Sequence, residues 1–302
     1  RVAGEVIHAQ EVLQTTEVDP EETILEQATE LIMPMSLERI LQYGDDMLEA
    51  LMVEKPATFK PVETAADDIV LIGFTSGTTG VPKGTMHFHR DVLAICDTFS
   101  KHVLKPVADD VFIGSPPLAF TFGLGGLTLF PMRARASTVL IEKAPPAELC
   151  KAIEEYKATI SFTSPTGNRF MLDAPNDLTT LRRCVSAGET LPKATSDAWF
   201  DKTGIRIIDG IGSTEILHIF ISAEGDDIRP GSTGKAVPLY EARVIDENGD
   251  ELPRGQVGRL AVKGPTGCRY LCDERQLEYV QNGWNVTGDA YMQDRDGYFW
   301  FQ

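Results

Sequence analysis

A chain of 302 residues, 42% apolar and 24% charged, has the composition of a folded protein with room for two cores, which excludes disorder and collagen-like repeats. Lys and Arg number 28 against 45 Asp and Glu, and the net charge of −17 argues against nucleic acid as a partner while leaving small polyanions such as nucleotides open. The five scattered cysteines predict free thiols in a reduced, cytoplasmic protein, and no apolar run reaches the ~20 residues that span a bilayer, so no membrane partner is expected.

The chain begins without Met, in mid-pattern, and ends on Phe299-Trp300-Phe301-Gln302, which reads as a fragment of a longer protein. Residues 1–66 are acidic and helical in pattern, with Met47-Leu48-Leu51-Met52 at a spacing close to 3.6, and Lys55-Pro56 and Lys60-Pro61 mark a linker. From 67 to 224 short apolar runs alternate with helical stretches. Strands are predicted at Ile69–Phe74, Val111–Gly114, Thr138–Ile141, Thr159–Thr163, Arg183–Val185 and Ile205–Asp209. Between the third and fourth lies a helix, Ala147–Tyr156, with Leu149, Ile153 and Tyr156 on one face. This grammar predicts an α/β layer whose sheet is largely parallel. Over 225–302, Asn248-Gly249 and Asp296-Gly297 punctuate apolar runs as hairpin turns do, which predicts a β-rich, barrel-like antiparallel subdomain.

Thr75-Ser76-Gly77-Thr78-Thr79-Gly80-Val81-Pro82-Lys83-Gly84 follows a predicted strand. Its glycines can turn backbone N–H groups toward an anion, its hydroxyls add donors and Lys83 adds a point charge, which together suit a phosphate. The Walker loop is excluded, because Lys83 stands between Pro82 and Gly84. Gly123-Leu124-Gly125-Gly126 and Gly210-Ile211-Gly212 both miss the last Gly of a dinucleotide fingerprint. Cys268 and Cys272, the close pair, lack a second pair or spaced His for zinc.

The Thr75–Gly84 loop resembles the signature loop of the adenylate-forming superfamily of acyl- and aryl-CoA synthetases, carrier-protein adenylation domains and luciferases. Three further motifs follow in that family's order. Ser186-Ala187-Gly188-Glu189 resembles its adenine-side loop, Asp209-Gly210-Ile211-Gly212-Ser213-Thr214-Glu215 its aromatic-Gly-x-Thr-Glu motif, and Thr287-Gly288-Asp289 its ribose-binding turn. Ile211 departs from the pattern, standing where an aromatic usually stacks on adenine.

The resemblance implies ATP, Mg²⁺ and coenzyme A as cofactors and co-substrates. It assigns Thr75 to Gly80 and Lys83 to the phosphates, and Ser186, Gly188, Glu189, Asp209, Gly210, Ile211 and Asp289 to the nucleoside. Thr214 would contact the α-phosphate and Glu215 would hold Mg²⁺, so Thr214, Glu215 and Lys83 are the candidate catalytic residues. Ser115–Gly125 resembles the segment that lines the acyl pocket, with Phe120 at a gating aromatic. No Asp occurs there to grip an α-ammonium group, and Phe120, Phe122 and Gly123 suggest a flat apolar slot. Gly212 and His218, within Gly212–Ile221, look closest to the benzoate–CoA ligase branch, including 2-aminobenzoate ligases. The implied activity is ATP-dependent conversion of an aryl acid to acyl-AMP and then acyl-CoA. A carrier protein in place of CoA, or a nucleotide-binding module with little turnover, are the alternatives, and the reading is compatible with an oligomer. The family's C-terminal lid, with its Lys and its Gly-Arg-x-Asp hinge, is expected to be missing, since the resemblance places that hinge directly after Gln302.

Overall fold

The computed structural model describes residues 52, 53, 55, 56, 58–75 and 82–302. They fall into two compact units, one running up to His89 and including Tyr270–Cys272, the other comprising Arg90–Arg269 and Asp273–Gln302. No helix among the described residues is long and apolar enough to cross a membrane. All five cysteines are free.

In the first unit, β1 (Ile69–Thr75) pairs antiparallel with β2 (Lys83–Phe88), in register from Ile69 with Phe88 to Thr75 with Lys83. The predicted first strand is therefore half of a two-stranded ribbon and not a member of the large sheet. Its tip, residues 76–81 of the glycine-rich loop, lies outside the described residues.

The second unit is built on a seven-stranded sheet. Its strands are β3 (Val111–Gly114), β4 (Ser137–Val139), β5 (Ile160–Thr163), β6 (Arg183–Ser186), β7 (Ile207–Gly212), β8 (Ile219–Ser222) and β9 (Lys235–Ala236), in the order β4-β3-β5-β6-β7-β8-β9. The first five run parallel and the last two are added antiparallel. Side chains alternate between the two faces of each strand. Ile113, Cys184 and Ile207 pack with Leu149, Ile153, Met171 and Trp199 from α3 (Pro146–Tyr156), α4 (Pro165–Met171) and α5 (Lys193–Thr203). Phe112 and Phe162 turn to the other face, where α1 (His89–Ile95, continued by a wide turn over Cys96–Leu104) and α2 (Thr121–Leu124, continued to Ala134) lie. The predicted helix is α3, but Tyr156 is exposed and Cys150 and Ala152 complete the buried face instead.

The two edges of this sheet differ in kind. At the amino ends of the parallel strands, Arg182 donates to both carboxylate oxygens of buried Asp110, which also accepts from Thr159. Burial opposes ionisation there, yet these donors hold the Asp110 carboxyl below its ordinary range. The carboxyl ends carry the sequence motifs, as open α/β sheets do where ligands bind.

Beyond it, β10 (Glu241–Ile245), β11 (Val257–Lys263), β12 (Val280–Gln281), β13 (Trp284–Gln293) and β14 (Phe299–Phe301) form a five-stranded antiparallel sheet, with β12 and β14 both on β13. Both predicted hairpin turns, at Gly249 and Gly297, take positive φ. A short helix, α6 (Gln276–Tyr279), precedes β12.

Candidate functional site

At the carboxyl edge, strand register places Thr163 beside Ser186 and Ser186 beside Asp209, while Ser115 and Thr163 share a hydrogen bond of 2.7 Å. One face of three parallel strands therefore ends in hydroxyl, hydroxyl and carboxyl. Among the described residues Ser186 Oγ and Asp209 Oδ1 are buried without a hydrogen-bond partner, while Ser222 Oγ donates to the Asp209 carbonyl at 2.5 Å. Burial raises the Asp209 carboxyl to about 8, with a hydrogen bond from Gly210 N–H pulling the other way. Gly188 sits at φ 89°, a conformation that favours glycine, with open space where a side chain would stand. Its neighbour Glu189 accepts at 2.6 Å from the Thr166 hydroxyl near the start of α4.

The loop from β7 to β8 bends sharply. Ser213 Oγ accepts from Ile216 N–H at 3.2 Å, capping the single turn Thr214–Ile216. Leu217 then adopts φ 73°, costly for a residue with a side chain, and directs the chain back into β8. Gly212 allows the return, because a Cβ there would lie 2.8 Å from the His218 backbone, and Gly210 is similarly close to Ile219. Thr266 Oγ1 donates to the Ile216 carbonyl at 2.7 Å and pairs with the Tyr240 hydroxyl at 2.7 Å, tying the loop down from behind.

Two chemically different surroundings flank this loop. Glu215 is 8% exposed, and its charge adds to burial in raising the pKa values of Tyr279 and Asp289. Asp289 stands in a bulge of β13, where Thr287, Gly288 and Asp289 face Leu260 alone and Gly288 takes φ 85°. Burial is the main cause that lifts its carboxyl, with the Glu215 charge adding to it. On the other side His218, 2% exposed, is enclosed by the rings of Phe130, Phe99 and Phe122 at 4.6, 5.3 and 5.9 Å. Burial drives the pKa down to about 3, with the Phe122 backbone pulling the other way, so the ring is neutral at pH 7. A Cβ on Gly125 would come within 2.4 Å of this imidazole, and one on Gly126 within 2.5 Å of the Phe162 ring. Phe120 is 44% exposed at the start of α2, and Gly123 packs on the Pro117 carbonyl, where a Cβ would be 2.1 Å away.

The described residues contain no cluster of three metal-ligating side chains. A single carboxylate together with phosphate oxygens is a mode that suits Mg²⁺. Glu215 fits it. In the first unit, Lys83 Nζ donates to the Tyr270 hydroxyl at 2.8 Å and lies 4.7 Å from that ring's centre, while Thr75 Oγ1 is buried without a partner among the described residues. The remaining loop residues, Ser76 to Gly80, lie outside the described residues.

Tyr279, Thr266 and the Phe99, Phe130 and Phe162 rings join this neighbourhood without a motif to announce them. They come from five separate segments, and only the tertiary fold brings them together. Ile211, which departs from the family pattern, pairs with Ile221 and stays half-buried.

The family model described as AMP-binding enzyme matches residues 4–270. A benzoate–CoA ligase of Thauera aromatica is 35% identical over 264 residues, 85% of this chain and 50% of that protein. The solved anthranilate CoA ligase AuaEII, in complex with anthranoyl-AMP, superposes with a TM-score of 0.84 at 36% identity, over 98% of this chain and 57% of its own. A benzoate CoA ligase from Burkholderia xenovorans LB400 gives 0.81 at 29% identity, over 98% and 58%. The chain spans about half the length of the curated relatives it matches.

Proposed function

Because this chain belongs to the AMP-binding enzyme family, we propose that it activates a benzoate-like acid with ATP and passes the acyl-AMP to coenzyme A. The observation that carries this reading is the Thr214–His218 loop. The Glu215 carboxylate stands toward Asp289 at one end of it, and a neutral imidazole walled by three rings stands at the other. That is the polarity a molecule with a phosphate at one end and an aryl group at the other requires.

In the first step a carboxylate oxygen of the acid attacks the α-phosphorus of ATP and pyrophosphate leaves, which needs alignment and charge stabilisation but no protein nucleophile. Thr214 donates to the α-phosphoryl oxygen. Glu215 would hold Mg²⁺, which when bound neutralises charge on the phosphates. Asp289 accepts from the ribose hydroxyls, and Ser186, Gly188, Asp209, Gly210 and Ile211 surround the base. Lys83 and the Thr75–Gly80 loop serve the β- and γ-phosphates. Phe122, Gly123, Gly212 and His218 receive the ring, and Phe120 stands at the entrance. In the second step the thiol of coenzyme A attacks the acyl carbonyl, its proton is lost and AMP leaves.

Glu215→Gln keeps shape and removes charge. It should abolish benzoate-dependent exchange of labelled pyrophosphate into ATP while the far-ultraviolet dichroism stays native. Full exchange with unaltered Mg²⁺ dependence in that variant would remove Glu215 from the role.

A further inference from the structure

The turn that carries Thr214 to His218 is held against its own backbone preference. Leu217 stands at φ 73° and ψ −30°, a region that residues with a side chain rarely enter, so a competing arrangement of lower backbone energy exists. A planar peptide turns as one piece. Flipping the unit between Ile216 and Leu217 would carry Leu217 to negative φ and swing the Ile216 carbonyl to the opposite side. That carbonyl is where the fold takes hold. Thr266 Oγ1 donates to it at 2.7 Å. Because a carbonyl only accepts, the Thr266 hydrogen is committed there, and the Tyr240 hydroxyl, 2.7 Å from Thr266 Oγ1, must be the donor of the second bond. The chain therefore runs one way, from Tyr240 O–H through Thr266 O–H to the Ile216 C=O.

This chain is buried and firmly mounted. Thr266 and Tyr240 are both inside. Tyr240 precedes β10 and Gly264 follows β11, next to the register pair of Glu241 with Lys263. With no side chain on Gly264 the Tyr240 ring lies against its backbone, where a Cβ would be 2.2 Å away. Buried hydrogen bonds in series reinforce one another, and removing one member strands its neighbours. Yet neither hydroxyl has a task in the proposed reaction. Resting on the placement of the AMP phosphate at Thr214 and of the acid's ring at His218, we propose that Thr266 is a positioning residue. Its hydroxyl pins the Ile216–Leu217 peptide in the strained orientation, which keeps both ends of the loop ready before either ligand arrives. Two ligands that meet an ordered loop lose no affinity to ordering it. Without the clamp, whichever ligand binds first orders the turn for the second.

Thr266→Val keeps the shape and removes the donor. If the turn is then ordered in about a tenth of free molecules, AMP and benzoate should each bind about tenfold more weakly, and a saturating amount of either should restore the other's wild-type Kd. Calorimetric titration of benzoate with and without AMP reads this, since no reaction occurs without pyrophosphate. The ratio of the two benzoate Kd values should be about ten times larger in Thr266→Val than in wild type, a comparison that cancels any direct contact between the ligands. Thr266→Ser keeps the hydroxyl and should return the wild-type ratio. Equal ratios in Thr266→Val and wild type, or a loss of affinity that the second ligand fails to restore, would overturn the proposal and leave Thr266 a support of the fold alone. Amide exchange at Leu217, whose N–H donates to the Thr214 carbonyl at 3.2 Å, reads the same turn in the free wild-type protein. Exchange slowed about a hundredfold or more relative to an unstructured peptide supports a turn ordered in advance, and exchange at the unprotected rate overturns it, whether or not Thr266→Val folds. Failure of wild type to bind AMP or benzoate would sink the functional reading instead, with the Leu217 exchange still reporting the clamp.

Discussion

His218 and Asp209 depart from their ordinary acidities in opposite directions, and stability must follow both. For His218 the folded pKa of about 3 lies below the unfolded value of 6.5. Between those values the unfolded chain binds the extra proton, so the stabilisation present above pH 6.5 is lost as pH falls toward 3, by up to about 1.4 kcal/mol per pH unit. Asp209 runs the other way, holding its proton in the folded state from pH 4 to about 8, so its contribution fades as pH rises through that window. His218→Leu should therefore flatten the loss of melting temperature between pH 6.5 and 4.5, measured by calorimetry against wild type. An equally steep acid limb in the variant would mean that other groups set it.

Among the elements, the glycine-rich helix α2 and the β7–β8 loop depend on each other through one contact, Gly125 on His218. Gly125→Ala forces the imidazole aside, and overpacking of this kind costs ~1–3 kcal/mol. Benzoate should then bind about tenfold more weakly, equivalent to ~1.4 kcal/mol, with AMP affected far less; equal losses for both ligands would point to general disruption. The opposite edge of the sheet predicts a different phenotype. Arg182→Ala strands the Asp110 carboxylate, and because Arg182 is itself partly exposed the cost is discounted to about 2 kcal/mol from the value for a fully buried pair. Chemical denaturation should show that loss without any change in ligand affinity. Of these elements the parallel strands from Val111 onward, helix α3 and both hairpins were legible in the sequence, because each carries its own periodicity or turn dipeptide. The ribbon β1–β2 was not, since an apolar run looks the same in either kind of sheet and only its partner distinguishes them. Likewise the Ser186, Asp209 and Glu215 motifs could be read locally. The ring cage around His218, drawn from α1 and α2 with their continuations, could not.

For the whole molecule, the account stands or falls on adjacency: the nucleotide edge and the ring-lined pocket must receive the two halves of one ligand. The net charge of −17 argues against nucleic acid, and the shared Thr214–His218 loop sets the two ends only a few residues apart. Adenylate and acid need not react for this to be measured. A non-hydrolysable benzoyl-AMP mimic, with a sulfamoyl group in place of the phosphate, carries both halves at the spacing of the intermediate. Joining two ligands that occupy neighbouring sites should make it bind more tightly than AMP by about two orders of magnitude, with the second half captured at a high effective concentration. The corresponding mimic carrying a palmitoyl chain or a phenylalanyl group should gain nothing over AMP. Titration calorimetry of these three compounds and AMP is the most direct test. The account predicts a gain confined to the benzoyl compound; a benzoyl mimic that binds no better than AMP, or a palmitoyl or phenylalanyl mimic that binds better than the benzoyl one, would contradict it.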